Sequence, residues 1–404
     1  MRTFNLLVLA ILGLFITACD DDDHLGDWSK ATQFSGAPRQ SSVCFEYGEG
    51  ENKVVFVGLG YGARGEEFSD MYVFENRSWK EVVFPEGKGF PAAENPGPDD
   101  TNPDKTYKNG NGRHSAVAFV IGKYAYVGTG YVSTYTGATT SPESRVRTYF
   151  KDFYRFNMET REWDSKEDFY TELPAGALGR RDAVAFSDGT YGYVGTGAGE
   201  NDRVFKDFYR FDPNGNGGKG EWTEIDFIGE ARYGGTAFVI NDAAYVCLGA
   251  STMGAGSGGM VYDVSKFDFK TKSWSPMQAL TDKPGVKQDK DYPRIPRRYA
   301  VSFISDKGSN GKAYAYIATG IGSNSNTVWR YNHEKDQWHQ MESLPSTYYA
   351  TVVGAVGFTV DGYVFFSLGA ATIDANSGFM ADTWRFIPDV KEDRANDYAV
   401  DNNF

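Results

Sequence analysis

Two short polar stretches in the sequence could do chemistry. GENDRVF (199–205) groups Glu200, Asp202 and Arg203, and GARGEEF (62–68) groups Arg64, Glu66 and Glu67. A carboxylate can act as the base in a proton transfer while a neighbouring guanidinium holds an anionic substrate. Arginine also recurs at one position of a longer pattern, as Arg39, Arg113, Arg180, Arg232 and Arg297, with Val352 in the sixth copy. Second arginines follow two of these, Arg181 and Arg298. A ring of guanidinium groups suits an anion such as a sugar acid. The stretch YVSTYTGATTSPESRVRTY (131–149) adds Tyr131, Tyr135 and Tyr149. With His114, Arg181, Arg298 and Tyr299, these tyrosines are the expected ligand contacts. Metal chemistry is poorly provided for, since the chain has four histidines and only His114 falls beside the arginine pattern. GAGSGG (254–259) fits G-x-G-x-x-G but runs into MVYDVSKF, which reads as strand where a dinucleotide site needs a helix. No G-x-S-x-G elbow occurs. No cofactor and no metal are expected.

The elements that would position these residues repeat along the chain. A glycine ends an apolar strand at Gly60, Gly130, Gly197, Gly249, Gly320 and Gly369, at intervals of 70, 67, 52, 71 and 49 residues. Before each glycine lies a strand such as KYAYVGTG, and before that another ending in phenylalanine, such as SAVAF. After it comes a third, such as DFYRF. A fourth begins at Trp79, Trp163, Trp222, Trp274 and Trp338. Short alternating strands joined by Gly, Asn and Asp turns form antiparallel meanders. Repeated radially, four-stranded meanders make a β-propeller, which leaves few exposed sheet edges.

These residues resemble the kelch family, whose pattern is an inner strand ending in an aromatic, a glycine pair, an aromatic-rich strand and then tryptophan. The predicted fold is all-β, a six-bladed propeller of four-stranded kelch-type blades. The sixth unit has no tryptophan after DTWRF (382–386), whereas DWSKATQF (27–34) stands unpaired at the start. The N-terminal strand with Trp28 is therefore expected to complete the last blade, as the resemblance also implies. Galactose-oxidase-like relatives share this propeller but need two histidines and a crosslinked tyrosine at copper, a set this chain cannot assemble on one face. The resemblance extends to metal-free sialic-acid mutarotases of Gram-negative bacteria. For that chemistry the candidates are Glu200, Asp202, Arg203, Glu66 and Arg64.

The long connections, including 61–69, 85–112, 131–149, 198–205, 250–261, 280–296 and 370–381, are all expected on one face. Long loops on a rigid scaffold are where binding usually resides. The third strands begin with Asp70, Asp152, Asp207, Asp263, Thr327 and Asp382. If each Asp pairs with the Arg of the next blade, the missing Asp and the missing Arg fall in one absent pair. The expected pairs are Asp70–Arg113, Asp152–Arg180, Asp207–Arg232, Asp263–Arg297 and Asp382–Arg39. Cys44 and Cys247 fall in opposite blades, too far apart for a disulfide, which needs Cα atoms within about 7 Å.

Arg2 followed by LLVLAILGLFITA (6–18) reads as a signal peptide. ITAC (16–19) resembles the bacterial lipobox, which implies lipid on Cys19. The DDDD that follows (20–23) resembles the signal by which Bacteroidetes-type bacteria send lipoproteins to the outer surface. The expected layout is signal peptide 1–18, tether 19–27, propeller 28–388 and an acidic, disordered tail 389–404. A net charge of −13 argues against nucleic acid as partner. The expected function is binding of a glycan or protein through the long-loop face by a monomeric, outer-membrane lipoprotein. The alternatives are a cofactor-free sugar-acid mutarotase or epimerase, and a scaffold subunit of a surface complex.

Overall fold

The computed structural model describes residues 24–91, 112–135, 145–254, 259–305, 311–345, 351–373, 378–395 and 397. It is a ring of six antiparallel blades. Blade one is Val43–Tyr47, Val54–Gly58, Met71–Glu75 and Ser78–Glu81. Blade two is Val117–Ile121, Tyr124–Gly128, Asp152–Asn157 and the short Glu162–Trp163, with Thr171–Glu172 also pairing on its third strand. Blade three is Val184–Ser187, Gly192–Gly195, Phe208–Asp212 and Glu221–Ile225; blade four is Thr236–Ile240, Ala243–Cys247, Val264–Asp268 and Ser273–Pro276. Blade five is Val301–Ser305, Tyr314–Ala318, Val328–Asn332 and Gln337–Met341. Blade six is Val356–Val360, Tyr363–Ser367 and Thr383–Ile387, and its outer strand is Asp27–Ala31. The N-terminal strand thus closes the ring as expected. Trp28 is fully buried there, 4.6 Å from the Phe386 ring. No helix among the described residues is long and apolar enough to cross a membrane.

The alternation of side chains builds the core. On each inner strand one phenylalanine turns away from the axis: Phe45, Phe119, Phe186, Phe238, Phe303 and Phe358. Each stacks on a ring of its own second strand, as Phe119 does on Tyr126 at 13° and Phe358 on Phe365 at 10°. Most also meet aromatics of the next blade: Phe119 meets Phe211 and Trp222, and Phe238 meets Tyr331 and Trp338. The repeated tryptophan therefore packs between neighbouring sheets, where aromatic contact adds roughly 0.5–1.5 kcal/mol beyond area burial. The residues turned to the axis are small, among them Ala118, Ala185, Ala237, Ser302 and Gly357, so the channel stays open and they remain partly exposed.

Two backbone systems tie blade to blade. The N–H of each anchor glycine donates to a carbonyl of the next blade: Gly60 to Arg113, Gly130 to Arg180, Gly197 to Arg232, Gly249 to Arg297, Gly320 to Val352 and Gly369 to Arg39, at 2.6–2.9 Å. Gly130 shows why glycine is needed: its φ is +85°, and a Cβ would lie 2.6 Å from the His114 carbonyl oxygen. Nearer the axis a series of left-handed residues bond in sequence. Tyr299 donates to Gly234, Gly234 to Asp182, Asp182 to Ser115, Ser115 to Ser41 and Ser41 to Gly354. Their φ angles lie between 53° and 62°.

The C-terminal segment is ordered further than expected. Gly26 N–H donates to the Val390 carbonyl, Asp393 N–H to the Asp27 carboxylate, and Arg330 pairs with Asp389 at 2.5 Å. Residues 389–393 thus lie against the closing strand through these bonds, while Val390 and Asp393 stay exposed to solvent.

Candidate functional site at the long-loop mouth

The recurring arginines are buried, each at 0–1% exposure. Their partners differ from expectation: in blades one to four the guanidinium pairs with the Asp of its own blade. Arg39 meets Asp70, Arg113 meets Asp152, Arg180 meets Asp207 through two bonds of 2.7 Å, and Arg232 meets Asp263. The cross-blade pairs Asp70–Arg113, Asp152–Arg180, Asp207–Arg232, Asp263–Arg297 and Asp382–Arg39 are not formed. The physical reason is a division of labour within one residue. The arginine carbonyl is fixed to the preceding blade's glycine, while its side chain turns back to its own blade. There Arg113 and Arg180 also donate to the carbonyls of Thr129 and Thr196, just before the anchor glycines.

The two gaps are therefore separate. Arg297 has Thr327 in place of Asp and donates instead to carbonyls and to the Thr327 hydroxyl at 2.7 Å. Burial pushes its guanidinium down from the usual arginine range, and the charge of Arg294 adds to this. Asp382 lacks an arginine and takes Lys30 of the closing strand at 3.2 Å.

GARGEEF and GENDRVF form one motif. Each folds into a 3-10 turn, Ala63–Gly65 and Glu200–Asp202, and each closes with matching backbone bonds, Phe68 N–H to Gly60 and Phe205 N–H to Gly197. Their shared last residue explains them: Phe68 covers Arg39 at 3.8 Å, and Phe205 covers Arg180 at 4.7 Å. Glu66, Glu200, Asp202 and Arg203 are exposed and make no side-chain ion pair or hydrogen bond among the described residues. The Arg64 side chain lies outside the described residues. Glu66, Glu200, Asp202 and Arg203 thus make no side-chain ion pair or hydrogen bond with Arg181, Asp182, Tyr233 or Arg298. Glu67 does reach the mouth, but buried: it accepts the Ser133 N–H at 2.7 Å and lies 3.6 Å from His114.

The expected ligand tyrosines divide. Tyr131–Tyr135 and Arg145–Tyr149 pair as a two-stranded ribbon. Tyr131 is fully buried, 4.0 Å from the His114 ring and 5.5 Å from Tyr149. Tyr131 and His114 therefore pack the rim and are closed to a ligand, while Tyr149 stays half-exposed. The Tyr135 side chain lies outside the described residues, as do Cys19 and all of 1–23. Cys44 and Cys247 are free thiols, as expected.

Arg181, Arg298 and Tyr299 do converge. They stand with Asp182 and Tyr233 on blades three to five, where each blade's connector reaches the axis. Arg298 Nη1 donates to the Tyr233 hydroxyl at 3.1 Å. The Tyr299 ring sits beside Gly234, where a Cβ would be 3.1 Å away. Arg181 pairs with Asp182 at 2.6 Å and lies over the Tyr131 ring. Arg298 is 6% exposed, its Nε has no hydrogen-bond partner, and no carboxylate among the described residues lies within 4 Å. Around Tyr233 two guanidiniums meet the Asp182 carboxylate, and the buried Glu67 beside His114 is the other acid of the mouth. Burial raises the Tyr233 hydroxyl above its usual range, against the pull of the Arg298 charge, so it stays a neutral donor. Asp182 and Tyr233 were not foreseen. The repeat RYGGTAF (232–238), aligned with RRDAVAF (180–186), could have indicated both.

At the opposite, short-turn end the channel widens into a cavity of about 530 Å³ lined by Glu46, Lys53, Ser302 and Thr359. Of its lining charges, Lys53 pairs with Glu46 at 2.6 Å. Among the described residues no group of three or more His, Cys, Asp and Glu is placed to hold a metal ion.

The architecture defines a six-bladed β-propeller. Residues 309–345, which span the last three strands of blade five, match the Kelch motif model. Of solved structures, "Structure of YjhT" is similar at 14% identity and a TM-score of 0.54, covering 87% of this chain and 95% of that one, which is a likeness of fold. No curated protein matches the chain in sequence.

Proposed function

We propose that the protein is an exported, lipid-anchored binding module that takes a carboxylated glycan at the long-loop mouth. Kelch-type propellers serve as interaction platforms. The observation that carries the reading is Arg298, a buried guanidinium with no anionic partner beside the Arg181–Asp182 pair. A bound carboxylate would supply the missing charge-assisted hydrogen bonds. Titration calorimetry with sialic and uronic acids, against their neutral parent sugars, tests it. Acids are expected to bind and neutral sugars not, with R298Q weakening the acids about tenfold or more. Equal binding of acid and neutral forms, or unchanged binding by R298Q, would overturn the reading.

Asp182 supports a second reading, a cofactor-free mutarotase for the same ligand class, in which this carboxylate moves the ring-opening proton. Exchange NMR of the anomeric protons decides it. Acceleration that D182N removes would establish the enzyme, and an unchanged exchange rate would exclude it. Anchoring rests on ITAC and the acidic run behind it. A lipid mass on Cys19, lost with release of the protein in C19A, is the expected result.

A further inference from the structure

We infer that the mouth receives the end of an acidic polysaccharide whose chain continues outward over the connector between blades four and five. This rests on the proposed carboxylate binding at Arg298. The connector leaves the outer strand Ser273–Pro276 and reaches the axis at Arg297–Arg298, which pair with Ile321–Gly322. Over 282–298 it carries six Lys and Arg against three Asp, in a chain of net charge −13. The connectors at 164–181 and 226–232 carry more acid than base. Of these three connectors, only the one that ends at Arg298 carries more base than acid.

The connector is also held rigid. Leu280, Asp289, Tyr292 and Ile295 are fully buried, and the Tyr292 hydroxyl accepts the Trp338 N–H at 2.7 Å. Lys283, Lys287 and Lys290 project into solvent. Asp289, by contrast, is turned inward and accepts from Gln278 at 3.1 Å. Asp282 and Asp291 are exposed as well, Asp291 lying 3.7 Å from Arg294, so solvent meets three ammonium groups and one guanidinium against two carboxylates on the connector that ends at the buried Arg298. That fits an anion repeated along a chain better than a single carboxylate.

The test uses the purified protein and galacturonate oligomers of one to six units at low ionic strength. Affinity is expected to rise at least tenfold from monomer to hexamer and to lose most of that gain as salt is added. The triple variant K283Q/K287Q/K290Q should abolish the rise while leaving monomer affinity within twofold, and R298Q should weaken every length. Monomer binding without a length dependence, or a rise that survives in the triple variant, overturns this inference alone. No binding at any length overturns the carboxylate reading beneath it as well. Equally tight, lysine-dependent binding of a single-stranded oligonucleotide would show a generic polyanion surface and overturn the assignment to a glycan.

Discussion

Arg297 is the arginine whose blade lacks an acid. In blades one to four the same guanidinium meets an aspartate, so Thr327→Asp should supply the missing partner. The new carboxylate could also accept from Trp329, whose indole N–H now donates to the Thr327 hydroxyl at 3.0 Å. Thermal unfolding should shift upward by the equivalent of about 1–2 kcal/mol. The opposite change, Asp207→Asn, leaves Arg180 buried without its charge partner and should cost roughly 3–5 kcal/mol. Burial acts to raise the Asp207 carboxyl, but Arg180 and the Tyr209 hydroxyl outweigh it and hold the group below the usual aspartate range. A depressed carboxyl stabilises the fold above its unfolded value of about 3.9 and loses that contribution as pH falls through the lower folded value. The stability gap between wild type and Asp207→Asn should therefore narrow as unfolding is followed from pH 5 down to pH 2. A constant gap would mean the ion pair is not its source.

At the scale of elements, the closing strand Asp27–Ala31 bears most directly on integrity. Trp28→Ala removes a fully buried indole and should cost about 3–5 kcal/mol, read as a lower denaturant midpoint with protease sensitivity appearing first in blade six. These elements were legible because period-two alternation, turn glycines and recurring tryptophans are local signals, each repeated often enough to set its own register. Partner choice was not legible. The adjacency of the gaps at Thr327 and Val352 suggested bonds between blades, and such bonds exist. They are made by the arginine carbonyls, which leave no mark in residue identity. The mouth was half legible for the same reason. Arg181, Arg298 and Tyr299 follow from the repeat register, whereas the polar tips at Glu66 and Glu200 drew attention by composition alone. The Phe68 and Phe205 that shape those loops looked like ordinary apolar residues.

Taken whole, the molecule is an annulus walled by small side chains, with Arg181, Asp182 and Arg298 at one opening and the Lys53–Glu46 pair at the other. Its two described thiols sit in that wall or behind it. Burial pushes Cys247 up to about 12 and raises Cys44 well above the usual thiol range. Intact-mass measurement after alkylation at neutral pH should find both unmodified in the native protein and both modified in denaturant, with no effect of reductant on thermal stability. Rapid native labelling of Cys247 would contradict the packing of blade four. The strand that shuts the annulus is also the one that leads back toward residue 24. A pull applied ahead of Asp27 therefore runs along the line of that strand, across five residue pairs from Asp27↔Ile387 to Ala31↔Thr383. The pull must shear these pairs together instead of peeling them one by one. If the protein is tethered through its N-terminus, its seam doubles as its mechanical clamp.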